Sequence, residues 1–245
     1  MQIKLFFTIA ILCVAPRVFA QQQFISQGKI EYERKTNQHA FMDESSAWDD
    51  IAKKNLPKFV TFYYDLTFKG NRTMFRTGRD PETKQAKYWG VFDSENTILT
   101  NLDSNTAVTQ RTIYGDMYLV TDSLRHIAWR ITPEIRKIAG FDCRKAVGRV
   151  MDSIVVIAFY TDEILTTGGP ESFTGLPGMI LGVALPHENI TWFATKVNEV
   201  TVDPKVLTPP KKGKPTNSKD LHTILLKAMK DWGNYAQLYL KAFSL

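Results

Sequence analysis

Gly168-Gly169-Pro170-Glu171-Ser172-Phe173-Thr174-Gly175-Leu176-Pro177-Gly178-Met179-Ile180-Leu181 is the most unusual stretch of the chain, dense in glycine and proline and running straight into an apolar segment. Pro177 fixes φ at the first central position of a turn and Gly178 tolerates positive φ at the second, so the pair predicts a type II turn. Met179-Ile180-Leu181 then enter a strand. A phosphate cradle is excluded, because no Gly-Lys-Ser/Thr follows and the segment after the turn reads as strand, leaving no helix N-terminus to face an anion. Gly175, Leu176, Pro177, Gly178, Met179 and Ile180 are therefore assigned as a structural motif.

Candidate strands rich in β-branched and aromatic residues recur on both sides of it, at 28–34, 59–68, 72–77, 88–93, 97–102, 107–113, 117–121, 128–132, 136–138, 144–149, 154–161, 179–183 and 191–202. Lys69-Gly70-Asn71 between the second and third is a hairpin signature. Many short strands with few helices predict a mainly β (α+β) fold, a large curved antiparallel sheet forming an open half-barrel or bowl. Two helices interrupt the pattern. Residues 45–55 place Trp48, Ile51 and Ala52 on one side and stop before Pro57. Residues 218–243 carry Leu221, Ile224, Leu225, Ala228, Met229, Trp232, Tyr235, Ala236, Tyr239 and Phe243 at 3,4 spacing, which predicts a C-terminal helix packed on the sheet. Residues 203–217, with Lys211-Lys212-Gly213-Lys214 between prolines, read as a solvated linker.

The chain has 245 residues, 31 Lys plus Arg against 25 Asp plus Glu, and 44% hydrophobic residues, an ordinary globular balance that excludes disordered and disulfide-scaffold classes. Residues 1–20 read as a secretory signal peptide: Lys4, an apolar run from Leu5 to Ala15, and Val18-Phe19-Ala20 at the cleavage position. Residues 21–245 are then expected to form one exported domain, reaching the periplasm, the outer membrane or beyond. Losing Lys4 and Arg17 lowers the formal charge of +6 by two, too mild an excess for nucleic-acid binding. No later run is long and apolar enough for a transmembrane segment. Cleavage removes Cys13, so Cys143 is expected to be a buried, inert thiol without a disulfide partner.

Gly175-Leu176-Pro177-Gly178-Met179-Ile180-Leu181 resembles the signature of the GLPGLI family of secreted Bacteroidetes proteins, with Met179 where Leu is usual. Trp129-Arg130-Ile131, the run from Lys137 to Ala146 and Phe159-Tyr160-Thr161-Asp162-Glu163-Ile164 resemble further family elements, with Phe141 replacing Tyr, Phe159 replacing Trp and Leu165 standing where Pro is usual. The resemblance covers about 125–185. It implies likeness to the N-terminal bowl-like domain of a secreted bacterial peptide N-glycosidase, where the module accompanies the chemistry rather than performing it. It supplies no catalytic residues.

The residues themselves supply none either. His39, His126, His187 and His222 are widely separated and show no metal-ligand spacing, so neither a metal nor another cofactor is expected. Asp116, Ser123 and His126 could make a hydrolase triad only without a nucleophile elbow, and the adjacent pairs Asp49-Asp50 and Asp162-Glu163 diverge in a helix or strand. Asp152-Ser153-Ile154 and Asp122-Ser123-Leu124 match a short Asp-Ser/Thr-apolar pattern resembling the O-glycosylation acceptor of Bacteroidetes, making Ser153 and Ser123 candidate modification sites. Two functions are weighed. The first is a non-catalytic envelope protein binding an apolar ligand, a glycan, or an outer-membrane transporter or other envelope partner in its concave sheet. The second is an accessory module or cryptic enzyme of glycan or peptide hydrolysis. After Thr201 the sequence reads as a linker and one helix, which favours the first.

Overall fold

The computed structural model describes residues 24–43, 45–88, 91, 95–151, 153–233 and 240. The predicted signal peptide lies outside them. The strands are β1 (Gln27–Asn37), β2 (Phe59–Lys69), β3 (Arg72–Thr77), β4 (Thr97–Asn101), β5 (Thr106–Ile113), β6 (Asp116–Ser123), β7 (Arg130–Ile138), β8 (Phe141–Val150), β9 (Ile154–Thr161), β10 (Met179–Leu185), β11 (Ile190–Asn198) and β12 (Lys214–Thr216), with helices α1 (Ala47–Asn55) and α2 (Ser218–Ala228). All twelve join one open sheet in the order β12-β6-β5-β4-β3-β2-β1-β11-β10-β9-β8-β7. Every pairing is antiparallel except β12 on β6. The expected curved antiparallel fold is thus what the chain forms.

One face of the sheet holds the core. Along β1 the residues Gly28, Ile30, Tyr32, Arg34 and Thr36 are buried while their neighbours are less covered, the period-two alternation of a strand with one wet face. The same rows in β2 and β11 supply Val60, Phe62, Tyr64, Leu66 and Phe68, then Ile190, Trp192 and Ala194. Strand β10 is covered on both faces. Its Met179, Ile180, Leu181 and Val183 are fully buried, and Tyr32 donates its hydroxyl to the Ile180 carbonyl at 2.6 Å. On the far face the β7 end of the sheet curls back, bringing the Arg136 guanidinium 4.7 Å from the Phe193 ring and 5.7 Å from Phe159.

Both outer strands carry proline, Pro133 in β7 and Pro215 in β12, which suits a position where one row of backbone groups has no strand beside it. Pro133 lies inside the register break between Ile131 and Ile135, so the two short strands expected at 128–132 and 136–138 are one interrupted strand beginning at Arg130. The strand expected at 88–93 does not include Tyr88, whose N–H instead bonds Gln38 Oε1 at 2.7 Å; residues 89, 90, 92 and 93 lie outside the described set. The 203–217 stretch differs from a plain linker. Pro204–Leu207 forms a 3-10 turn that buries Leu207 with Met74 and Leu99, and β12 pairs with β6.

Helix α2 starts at an Asn217 cap whose side chain accepts from the Asp220 N–H, and it packs Leu221, Leu225 and Met229 on Ile113, Tyr118 and Val120. It ends at Ala228, well short of residue 243. Gly233 follows with a φ of +56°, and Trp232 turns back to donate its N–H to the Met229 carbonyl. The apolar spacing alone extends through a glycine stop signal, and residues 234–239 and 241–245 lie outside the described set. Helix α1 forms as expected, capped by Ser46, with no buried residue and Trp48 81% exposed.

Candidate functional site

Between β9 and β10 the chain folds back over the core face. The expected type II turn is replaced by a tighter one, since the Gly178 N–H donates to the Leu176 carbonyl at 2.8 Å and closes a three-residue turn centred on Pro177. Glycine is required at 178 for space as well as conformation. Its φ is +158°, and an added Cβ would lie 2.0 Å from the Thr161 carbonyl oxygen. Gly175, at φ +92°, lets the chain turn beneath Trp129, whose indole N–H donates to the Thr174 carbonyl at 2.9 Å. A second turn closes where the Phe173 N–H meets the Pro170 carbonyl at 3.1 Å.

Glu171 sits inside that second turn at a φ of +52°, a left-handed conformation uncommon for residues other than glycine. Its side chain is 5% exposed. Arg34 from β1, Arg111 from β5 and Arg125 from the β6–β7 connection all act on it electrostatically, and Asn96 Nδ2 approaches its Oε2 at 3.5 Å. Burial pushes the carboxyl up from the ordinary range, and the three guanidiniums and Asn96 pull against that shift. Burial likewise lowers Arg111 and Arg125, with the Glu171 charge opposing it. Aromatic rings space the cations. Arg34 lies 5.4 Å from the Trp192 ring and 5.6 Å from Phe62, Trp192 meets Phe173 edge to face at 6.3 Å, and Arg125 lies 5.8 Å from Phe173.

Beside this cluster is a cavity of about 390 Å³. Its walls are β5 and β6 (Ala107, Thr109, Arg111, Val120, Asp122, Ser123), the connection Leu124-Arg125-His126, the end of β8 (Arg149, Val150) with Met151 in the turn after it, Ser172, and α2 from Ser218 to Leu225. Among the described lining residues, the three guanidiniums of Arg111, Arg125 and Arg149 outnumber the single carboxylate of Asp122. Asp122 is already engaged at the α2 start, accepting from the Ser218 N–H at 2.7 Å and from its hydroxyl at 2.5 Å. Arg125 Nη2 reaches Ser172 Oγ at 3.4 Å, so its guanidinium is held between a hydroxyl and a ring.

The residues weighed from sequence fall at different places. Ser123 and His126 share the cavity, whereas Asp116 is at the other end of β6 and pairs with Lys214 at 2.9 Å, so the three make no triad. His39 Nε2 lies 3.0 Å from the Leu56 carbonyl, and Asp49 accepts from the Asp43 N–H and the Tyr88 hydroxyl, a local brace for α1. Cys143 is fully buried, and burial with the nearby Asp142 and Glu163 charges pushes its thiol up to about 12. Ser153 is exposed in the β8–β9 turn, and its neighbour Asp152 lies outside the described set. Among the described residues there is no group of three or more His, Cys, Asp or Glu positioned for a metal ion, nor a helix long and apolar enough to cross a membrane. Sequence reading missed Glu171, Arg34, Arg111 and Arg125. The first lay within the quoted motif, and an acidic residue in a Gly/Pro-rich apolar stretch was the available signal.

Residues 148–182, from late β8 through β9 and the turn motif into β10, match the family described as "Protein of unknown function (Porph_ging)". The match falls within the segment that carries the resemblance drawn from the sequence and bears it out. Among solved structures the chain is similar to PNGF-II, a peptide N-glycosidase. One crystal form aligns at TM-score 0.52 and 16% identity over 78% of this chain and 31% of that one; a second aligns at 0.54 and 16% over 82% and 33%. This chain therefore spans about a third of the length of PNGF-II, and the likeness is one of fold. No curated protein gives a significant match.

Proposed function

We propose that the protein is a non-catalytic, exported binding module whose ligand occupies the cavity between β5, β6, the β6–β7 connection and α2. The cavity itself carries this reading. Its volume of about 390 Å³ lies in the range of small-molecule sites, and its lining mixes apolar walls with a few convergent polar groups. That mixture favours a glycan-sized polar ligand over a purely apolar chain. The buried Cys143 thiol and the distance of Asp116 from Ser123 support a binding role over a nucleophilic one. Export is supported by the sequence of residues 1–20. The test is native mass spectrometry of protein purified from its own envelope, beside a Leu225→Trp variant that fills the cavity. A retained small molecule lost from the variant is expected, and identical retention by both sinks the assignment.

The likeness to PNGF-II favours one other reading, an accessory module that partners a separate catalytic chain. Adding the purified protein to a peptide N-glycosidase acting on a glycopeptide decides it, since an accessory module changes turnover and a bystander leaves it unaltered.

A further inference from the structure

We propose that this cavity binds its ligand through an anionic oxygen group, a carboxylate or phosphate carried on a carbon skeleton, received by the guanidiniums of Arg111 and Arg125. The inference rests on the binding reading above and names the chemistry of the ligand. Arg111 stands on the core-face row of β5 and Arg125 on the neighbouring connection, and both line the cavity. Arginine stays charged in proteins and presents a planar fork that matches carboxylate and phosphate oxygens. The two guanidiniums act on each other as like charges, and Glu171 supplies negative charge from the buried turn. An anion entering from the cavity meets the same two guanidiniums from the cavity side.

Arg125 is also preorganised. Ser172 Oγ and the Phe173 ring fix its guanidinium before any ligand arrives, so little side-chain freedom is lost on binding. Arg149, exposed at the end of β8, extends the positive lining toward solvent. A cleft lined by one sign of charge concentrates ligands of the opposite sign. Val120, Val150, Leu221 and Leu225 form the apolar part of the wall, which provides contact for a carbon skeleton and none for a bare inorganic ion.

Calorimetry and thermal melting of the full exported chain test this with D-glucuronate and glucose 6-phosphate, neutral glucose as the uncharged counterpart, and inorganic phosphate. Binding of at least one charged sugar in preference to glucose is expected, with affinity falling as salt rises. Arg125→Gln should weaken it about tenfold. Arg149→Gln, at an exposed position that folding tolerates, should weaken it less but measurably, which keeps the test open if Arg125→Gln fails to fold. The carboxylate and phosphate arms separate the two sources of the anion. Equal binding of glucose and the charged sugars, or indifference to both substitutions, overturns the anionic inference while leaving a cavity ligand of another kind. Inorganic phosphate binding as tightly as glucose 6-phosphate overturns the requirement for a skeleton. Silence from both charged sugars overturns the inference too, and retention of a native ligand that Leu225→Trp abolishes then shows that the binding reading survives it.

Discussion

Gly178→Ala is the perturbation whose consequence follows most directly from the structure. The new Cβ would sit 2.0 Å from the Thr161 carbonyl oxygen, 2.7 Å from its carbon and 3.0 Å from Asp162 Cα, all backbone atoms that no rotamer change can move aside. Restoring ordinary contact requires the start of β10 to part from the end of β9 by roughly 1 Å. That displacement is applied where Met179 pairs with Thr161, and Met179, Ile180 and Leu181 behind it are all fully buried. Overpacking of this kind costs about 1–3 kcal/mol, and a positive φ adds about 1 kcal/mol for a residue with a Cβ. For a chain of this size the melting temperature should fall by about 4–16 °C. Gly70→Ala provides the control, because Gly70 also has positive φ, +55°, but no atom within 4 Å of an added Cβ. It should show the conformational part alone, about 2–4 °C. Equal melting of the two variants would refute the clash argument, and an unchanged Gly178→Ala with lost ligand binding would make the turn a functional loop.

Cys143 should resist aqueous thiol reagents in the native state and react on unfolding, and fast native labelling would contradict its burial. Because its folded thiol is pushed up from 9.0 to about 12, the folded state holds that proton more tightly; the associated stability is complete below about pH 9 and is lost as pH rises toward 12. Denaturant melts should therefore show a steeper alkaline loss for wild type than for Cys143→Ala, and parallel curves count against the shift. Ser153, exposed in its turn, should be the better O-glycosylation acceptor than Ser123, which ends β6 and lines the cavity; glycopeptide mapping that finds only Ser123 modified reverses the order. Intact-mass measurement of the exported pool should give an N-terminus at Gln21, and retention of residues 1–20 sinks the signal-peptide assignment.

Strand placement was legible because it depends on local alternation, and β1, most of β2 and the first half of β9 bury every second residue. Sheet order was not, since the pairing of β1 with β11 brings together residues more than 150 positions apart and no local pattern encodes that choice. At Gly178 the sequence carries only part of the reason for glycine. Conformational preference is visible in a Pro-Gly pair, whereas the approach of the Thr161 carbonyl is a tertiary fact. The site was the least legible part. Arg34 continues a buried row begun by Ile30 and Tyr32, and Arg111 sits in a strand of otherwise ordinary polar alternation, so each looks like a solvated charge until Glu171 is brought between them.

Glu171 is then the residue that connects the motif to the cavity, and it makes one further expectation. Burial desolvates its charged form, a penalty that outweighs the help of three arginines and Asn96, which is why the carboxyl is raised. A neutral isostere in the same place avoids that desolvation and retains an oxygen to accept hydrogen bonds, so Glu171→Gln should fold with a melting temperature near that of wild type. At a pH where the carboxyl is ionised, the same change removes a negative charge that shares Arg111 and Arg125 with any incoming anion. The potential in the cavity becomes more positive, and a charged sugar should bind about tenfold more tightly, equivalent to about 1.4 kcal/mol. Calorimetry of the variant beside wild type reads this directly. A folded Glu171→Gln that binds no better, or binds worse, would mean that the carboxylate orients the guanidiniums rather than competing for them.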